Sequence, residues 1–140
     1  MNRELLRTLL ERHEGLRLKP YRDSVGKLTI GYGRNLEDVG ITKDEAALML
    51  SNDIDDAERH LQTVDEYREL DSIRQAVLAN MCFNLGFHGL MGFKQMWRAV
   101  RRRDWDRASA EMLNSKWARQ VGVRAVELSE IMRAGEVSGV

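Results

Sequence analysis

Leu5, Leu6, Leu9 and Leu10 recur at helical spacing and Gly15 follows them as a stop signal, which predicts a short helix over residues 3–14. The period then drops to two. Leu16-Arg17-Leu18-Lys19 alternates, as does Lys27-Leu28-Thr29-Ile30-Gly31-Tyr32-Gly33, and the turn-forming Asp23-Ser24-Val25-Gly26 lies between them. That arrangement predicts a β-hairpin. From Thr42 onward the pattern is helical. Thr42-Lys43-Asp44-Glu45 has the form of a capping box, and Ala47, Leu50, Ile54, Ala57 and Leu61 carry one apolar stripe onward over 43–61. A further helix follows Asp71. It is apolar on nearly every face from Ile73 to Leu85, the mark of a buried central helix. Gly86, Gly89 and Gly92 predict a loop, and shorter helices are expected over 93–102, 105–114, 116–120 and 123–134. The predicted class is α+β and mostly α, with a small hairpin lobe, a long connecting helix and a helical lobe.

Composition narrows this picture. A single proline, Pro20, against 31% charged residues suits a helical chain, and 140 residues without repeats or linkers suit one domain. A domain of this size buries roughly 68–70% of its unfolded surface, so it needs no disulfide or metal staple. The one cysteine, Cys82, cannot form an intrachain bridge. Lys and Arg number 22 and so do Asp and Glu, which excludes a wholly basic arm or acidic tail. No apolar run approaches the roughly 18–20 residues of a membrane span, so no stable membrane insertion is expected. The first residues lack the apolar core of a secretion signal, so synthesis in the host cytoplasm is the expectation.

Candidate chemistry is found by exclusion first. His13, His60, His88 and Cys82 share no metal-ligand spacing, and neither a Gly-x-Ser-x-Gly elbow nor a P-loop occurs. Carboxylates remain. Glu14 would end the first helix, where the macrodipole is negative, and it borders the leucine stripe. Both effects favour a protonated carboxyl, which suits a general acid, although a solvated glutamate at a frayed helix end has the same position. Asp23 opens the hairpin turn, a place aspartate also takes for purely structural reasons. On the second strand Lys27, Thr29, Gly31 and Gly33 share a face that packs little of its own and leaves backbone open to a ligand or to plain solvent. An acid and a second carboxylate beside such a face form the layout of a glycosidase.

The run Glu14-Gly-Leu-Arg-Leu-Lys-Pro-Tyr-Arg-Asp23-Ser-Val-Gly-Lys-Leu-Thr29-Ile-Gly-Tyr-Gly33 resembles the active-site segment of phage-type lysozymes, the endolysins of glycoside hydrolase family 24 typified by the T-even phage enzyme. Gly40-Ile-Thr-Lys-Asp-Glu45, Asn80-Met-Cys-Phe-Asn-Leu-Gly86, Gly92-Phe93 and Ser115-Lys-Trp-Ala-Arg-Gln120 with Arg124 extend the resemblance over nearly the whole chain. It implies a single two-lobed lysozyme-like domain. The hairpin lobe would span about 15–41 and the inter-lobe helix about 43–61. The helical lobe would span about 62–140, joined by the N-terminal helix. It implies that Glu14 is the general acid, that Asp23 positions or activates a water and that Thr29 helps hold it. Gly31, Gly33, Phe83 and Asn84 would contact substrate, and Arg124 would support the catalytic acid. Arg34 stands where a histidine is common, so any ion pair there must be rebuilt. The short Arg34–Gly40 stretch leaves little room for a third strand.

The activity so implied is a muramidase cutting the β-1,4 bond between N-acetylmuramic acid and N-acetylglucosamine with inversion, causing lysis. It would act as a monomer on peptidoglycan strands, without cofactor or metal, after a separate pore-former (a holin) gives access to the wall. A lytic transglycosylase needs no positioned water, and a bare wall-binding module has no use for the Glu14, Asp23 and Thr29 trio. Trp97, Trp105 and Trp117 fit core packing better than sugar stacking, and Asp53, Asp55, Asp56 and Glu58 fit a solvated helix face. Between Lys94 and Arg124 nine Lys/Arg face three Asp/Glu. A polyanionic envelope is the expected partner of that stretch, in preference to nucleic acid.

Overall fold

The computed structural model describes residues 1–137 of the chain. They form two compact units, Met1–Met49 and one that begins at Leu50, in the mostly helical α+β class that the periodicity predicts.

In the first unit, helix α1 (Arg3–Glu14) starts where the Asn2 side chain accepts the Leu5 amide at 3.0 Å. It stops at Gly15, whose φ of 70° lets the amide turn back to Glu11 O. The leucine stripe is there, but none of the helix is fully buried. Helix α1 falls in the same compact unit as the sheet. The sheet is antiparallel in the order β1 (Arg17–Arg22), β2 (Leu28–Gly31), β3 (Arg34–Asn35). Arg17 pairs with Gly31 and Tyr21 with Thr29, so β1 carries extra residues between those pairs. Pro20, which has no amide to donate, falls in that irregular stretch. The third strand corrects the expectation of too little room. Asn35 pairs with Thr29 and Arg34 with Ile30, and Glu37 Oε1 then accepts the Leu28 amide at 2.9 Å. A side chain here does what a longer strand's backbone would do.

Helix α2 (Lys43–Leu61) begins with the predicted capping box: Thr42 N donates to Glu45 Oε1 at 2.8 Å and Glu45 N to Thr42 Oγ1 at 3.1 Å. In the second unit its stripe is buried only at Ala57 and Leu61, while Leu50 and Ile54 remain about half exposed. A short α3 (Asp65–Arg68), unmarked by any periodicity, leads into α4 (Ser72–Leu85). Asp71 caps α4 through the Arg74 amide, and Val77, Leu78, Met81 and Cys82 bury it as predicted. The expected glycine loop is instead a helix, α5 (Phe87–Met91), with Gly86 and Gly92 as its two ends. Three glycines suggested flexibility, yet two of them are caps. Helices α6 (Lys94–Arg101), α7 (Trp105–Leu113), α8 (Lys116–Val121) and α9 (Val123–Ala134) follow within a residue or two of expectation. Tyr67, Leu78, Leu90, Met96, Met112 and Met132 are the main bulk of the core. Trp97 and Trp117 join it as predicted, and Trp105 lies under the Arg74 guanidinium at 3.9 Å.

Candidate active site

The first unit holds Glu14, Asp23, Thr29, Gly31 and Gly33. Glu14, the last residue of α1, lays its carboxylate on the backbone of Gly33. A Cβ built at that glycine would stand 2.7 Å from Glu14 Oε2, and the φ of +78° there is one that side chains rarely adopt. The bare strand face is therefore approached closely, at Gly33, by the chain's own acid. Around Gly31 no atom lies within 4 Å of a built Cβ, so that position stays open.

Asp23 closes the β1–β2 turn. Its Oδ1 accepts the amides of Val25 at 3.0 Å and Lys27 at 2.8 Å, while its own amide donates to Lys27 O at 2.9 Å. Both the turn role and an oriented carboxylate are thus present together. Oδ2 has no hydrogen-bond partner among the described residues. Thr29 departs from expectation. It is 3% exposed and is the one buried residue of the first unit, so its face is not a solvent face. Its hydroxyl donates to Lys27 O at 2.9 Å, which leaves the oxygen's lone pairs as acceptors. Lys27 O thereby ties Asp23 and Thr29 to one carbonyl.

Arg34 carries the ion pair that the missing histidine leaves open. Its Nη1 and Nη2 donate to Glu45 Oε1 and Oε2, both at 2.8 Å, and Nη1 also reaches Gly40 O at 3.1 Å. The guanidinium hydrogen bond, with help from the Thr42 amide, holds the Glu45 carboxyl down to about 2. The capping box was legible in the sequence; its second use was not, because nothing in spacing links residue 34 to residue 45.

The second unit holds the remaining candidates. Phe83 and Arg124 line one largely apolar pocket of about 570 Å³, together with Leu50, Ile54, Ala79 and Asn80. Phe83 is half exposed there. Arg124 donates through Nε and Nη2 to Asn80 Oδ1, at 3.1 and 2.7 Å. Asn84 Oδ1 accepts the indole N–H of the buried Trp117 at 2.6 Å, which leaves its amide nitrogen as the group free to meet a ligand. Glu58 departs from the solvated acidic face: it accepts the Tyr67 hydroxyl, and burial together with that bond pushes the Tyr67 phenol upward. No cluster of His, Cys, Asp and Glu among the described residues has the form of a metal site.

A sequence profile of the phage lysozyme family matches residues 11–133. The chain belongs to that family. It is a lysozyme, a hydrolase of bacterial peptidoglycan. Among its relatives is a probable T4-type lysozyme 1 of Dictyostelium discoideum, 25% identical, with 95% of this chain and 96% of that protein aligned. The endolysin of Acyrthosiphon pisum secondary endosymbiont phage 1 is 31% identical over 79% of this chain and 75% of its own. The pre-baseplate central spike protein Gp5 of Enterobacteria phage T4 is 28% identical across 92% of this chain but only 28% of its own length. No described helix of this lysozyme is long and apolar enough to cross a membrane.

Proposed function

We propose that this lysozyme is a muramidase that hydrolyses the β-1,4 bond between N-acetylmuramic acid and N-acetylglucosamine with inversion, using Glu14 as general acid and Asp23 and Thr29 to control the water. The seat of Glu14 on Gly33 is the observation that carries this: a carboxyl at the rim of a strand that is open at Gly31 can protonate a departing sugar oxygen. Water attacks the anomeric carbon from the opposite face as Asp23 Oδ2 takes its proton, and the Thr29 hydroxyl oxygen accepts the water's other hydrogen. The spare acceptors on both side chains support that division of labour. Gly31, Gly33, Phe83 and Asn84 complete the proposal as glycan contacts, and Arg124 as support of the acid. The enzyme works as a monomer at the cell wall without cofactor, reaching it through a separate pore-former, and wall cleavage lyses the cell.

Glu14→Gln is nearly isosteric yet cannot give up a proton, and loss of general-acid help costs about 10²–10⁴-fold in rate. The purified variant should fold normally and fail to clear sacculi. Mass spectrometry of wild-type digests should find reducing muramic acid ends. Anhydro ends would identify a transglycosylase, and no cleavage a binding module.

A further inference from the structure

We propose that the Arg34–Glu45 ion pair is a clasp that positions the catalytic acid, acting through the Gly31–Gly33 turn on which Glu14 rests; this depends on the assignment of Glu14 as the acid. The turn that seats Glu14 is weakly held by the sheet itself. Gly31 and Gly33 both have positive φ, at 69° and 78°, and β3 beyond them is two residues long. Two ladder pairs, Thr29 with Asn35 and Ile30 with Arg34, and one further backbone bond from Leu36 N to Leu28 O at 2.8 Å join the strands on that side. Glycines at such angles are free to leave them, and so short a ladder gives little restraint.

Arg34 immediately follows Gly33, and its side chain supplies the missing restraint. A planar guanidinium meets a planar carboxylate through two parallel bonds of 2.8 Å, and a third bond of 3.1 Å ties it to Gly40 O. The carboxylate is itself fixed, because Glu45 Oε1 also accepts the Thr42 amide and the Thr42 hydroxyl accepts Glu45 N. One end of the clasp is therefore a helix N-terminus and the other is the residue beside the seat of the acid. The side chains of the pair are 36% and 41% exposed, so solvent screens it and it adds little to global stability. Its consequence lies in geometry. A reacting group misplaced by about 1 Å can lose 10²-fold in rate.

Atomic detail separates this role from a purely structural one. In Glu45→Gln the amide oxygen can keep the position that accepts Thr42 N, since glutamine also serves in a capping box. The amide nitrogen then faces Arg34 Nη2, donor against donor, and the fork opens. Thr42→Ala does the reverse: it removes the hydroxyl from the cap and leaves the fork in place. Steady-state kinetics on soluble glycan fragments, melting temperature, and ¹⁵N relaxation at the Gly31 and Gly33 amides are to be measured for wild type, Glu45→Gln, Arg34→Lys, Thr42→Ala and Glu14→Gln. The expected result is a kcat lowered by about 10–10²-fold in Glu45→Gln with KM nearly unchanged. Its glycine amides should be more mobile. Arg34→Lys, which keeps charge but loses the fork, should fall between it and wild type. Thr42→Ala should melt lower yet keep kcat and rigid glycine amides. If kcat in Glu45→Gln is normal, or falls only as far as melting temperature does in both variants, the clasp is structural and the proposal fails. If Glu14→Gln is itself active, Glu14 is not the acid and both readings fail; an inactive Glu14→Gln beside a normal Glu45→Gln overturns the clasp alone.

Discussion

Gly33 meets two demands at once: a left-handed backbone, and room for the Glu14 carboxylate above it. The two demands separate in Gly33→Ala. Holding alanine at positive φ costs about 1–2 kcal/mol, which urea denaturation should record. The new methyl group would also meet Glu14 Oε2, the movable end of a flexible side chain. The carboxylate will shift rather than the strand. Activity should therefore fall well beyond what the stability loss explains, while an alanine at the open Gly31, also at positive φ, should cost stability without displacing Glu14. A glycan contact disturbed at Gly31 should appear in KM, so equal kcat losses for the two alanines would mean that the seat does not matter. Leu78, fully buried on α4, belongs at this scale too: Leu78→Ala should cost about 2–5 kcal/mol because the surrounding helices close the cavity only in part.

Among the elements, helix starts carry the electrostatics. The Arg34 guanidinium holds the Glu45 carboxyl at about 2, below the 4.5 of a free glutamate. A carboxyl depressed on folding stabilises the fold above its unfolded value, and that contribution fades as pH falls toward the folded one. The difference in melting temperature between wild type and Glu45→Gln, small because solvent screens the pair, should be constant above about pH 5 and should close toward pH 2. A difference that does not change over this range would place the effect outside the ion pair. Asp71 marks the other critical start. Its Oδ2 accepts the Arg74 amide at 3.0 Å and its Oδ1 meets the Arg74 guanidinium at 3.1 Å. Asp71→Ala should cost about 0.5–2 kcal/mol, and Asp71→Asn, which keeps the cap, less.

Taken as a whole, the molecule has its buried apolar core in the second unit and a single buried residue, Thr29, in the first. Protection from hydrogen exchange follows burial, because local opening is cheap where few apolar contacts are lost. Amides in the middle of α4 should exchange only through global unfolding, and those of α1 by local opening at far lower cost. Comparable protection in the two helices would contradict this. On α6, Lys94, Arg98 and Arg101 are exposed beside the buried Met96, Trp97, Ala99 and Val100, as is Arg102 at its C-terminal cap. Glu66 neutralises Arg101, while Lys94 and Arg102 have no ion pair among the described residues. If this face holds the enzyme to a polyanionic wall, Arg98→Glu with Arg102→Glu should weaken retention on sacculi, and salt should weaken wild-type retention as the Debye length falls below about 10 Å. Turnover of soluble fragments should not change.

The sequence by itself determined what local physics decides. Helix periods, the β1–β2 turn, the Thr42–Glu45 capping box and the burial of α4 follow from neighbours a few residues apart. The segment from Glu14 to Gly33 carried enough of a family pattern to mark the family. Contacts across longer gaps were decided only in three dimensions. Thr29 alternates as an outward residue yet is buried, because strand period says which residues share a face but not what covers it. Gly86 and Gly92 read as loop formers and became helix ends, since glycine's freedom serves both. Glu58 looked solvated until α3 brought the Tyr67 hydroxyl to it. Arg34 signalled only a lost histidine; the guanidinium's reach and a turn of just the right length gave it Glu45, and a pairing of that kind leaves no period in the chain to be read.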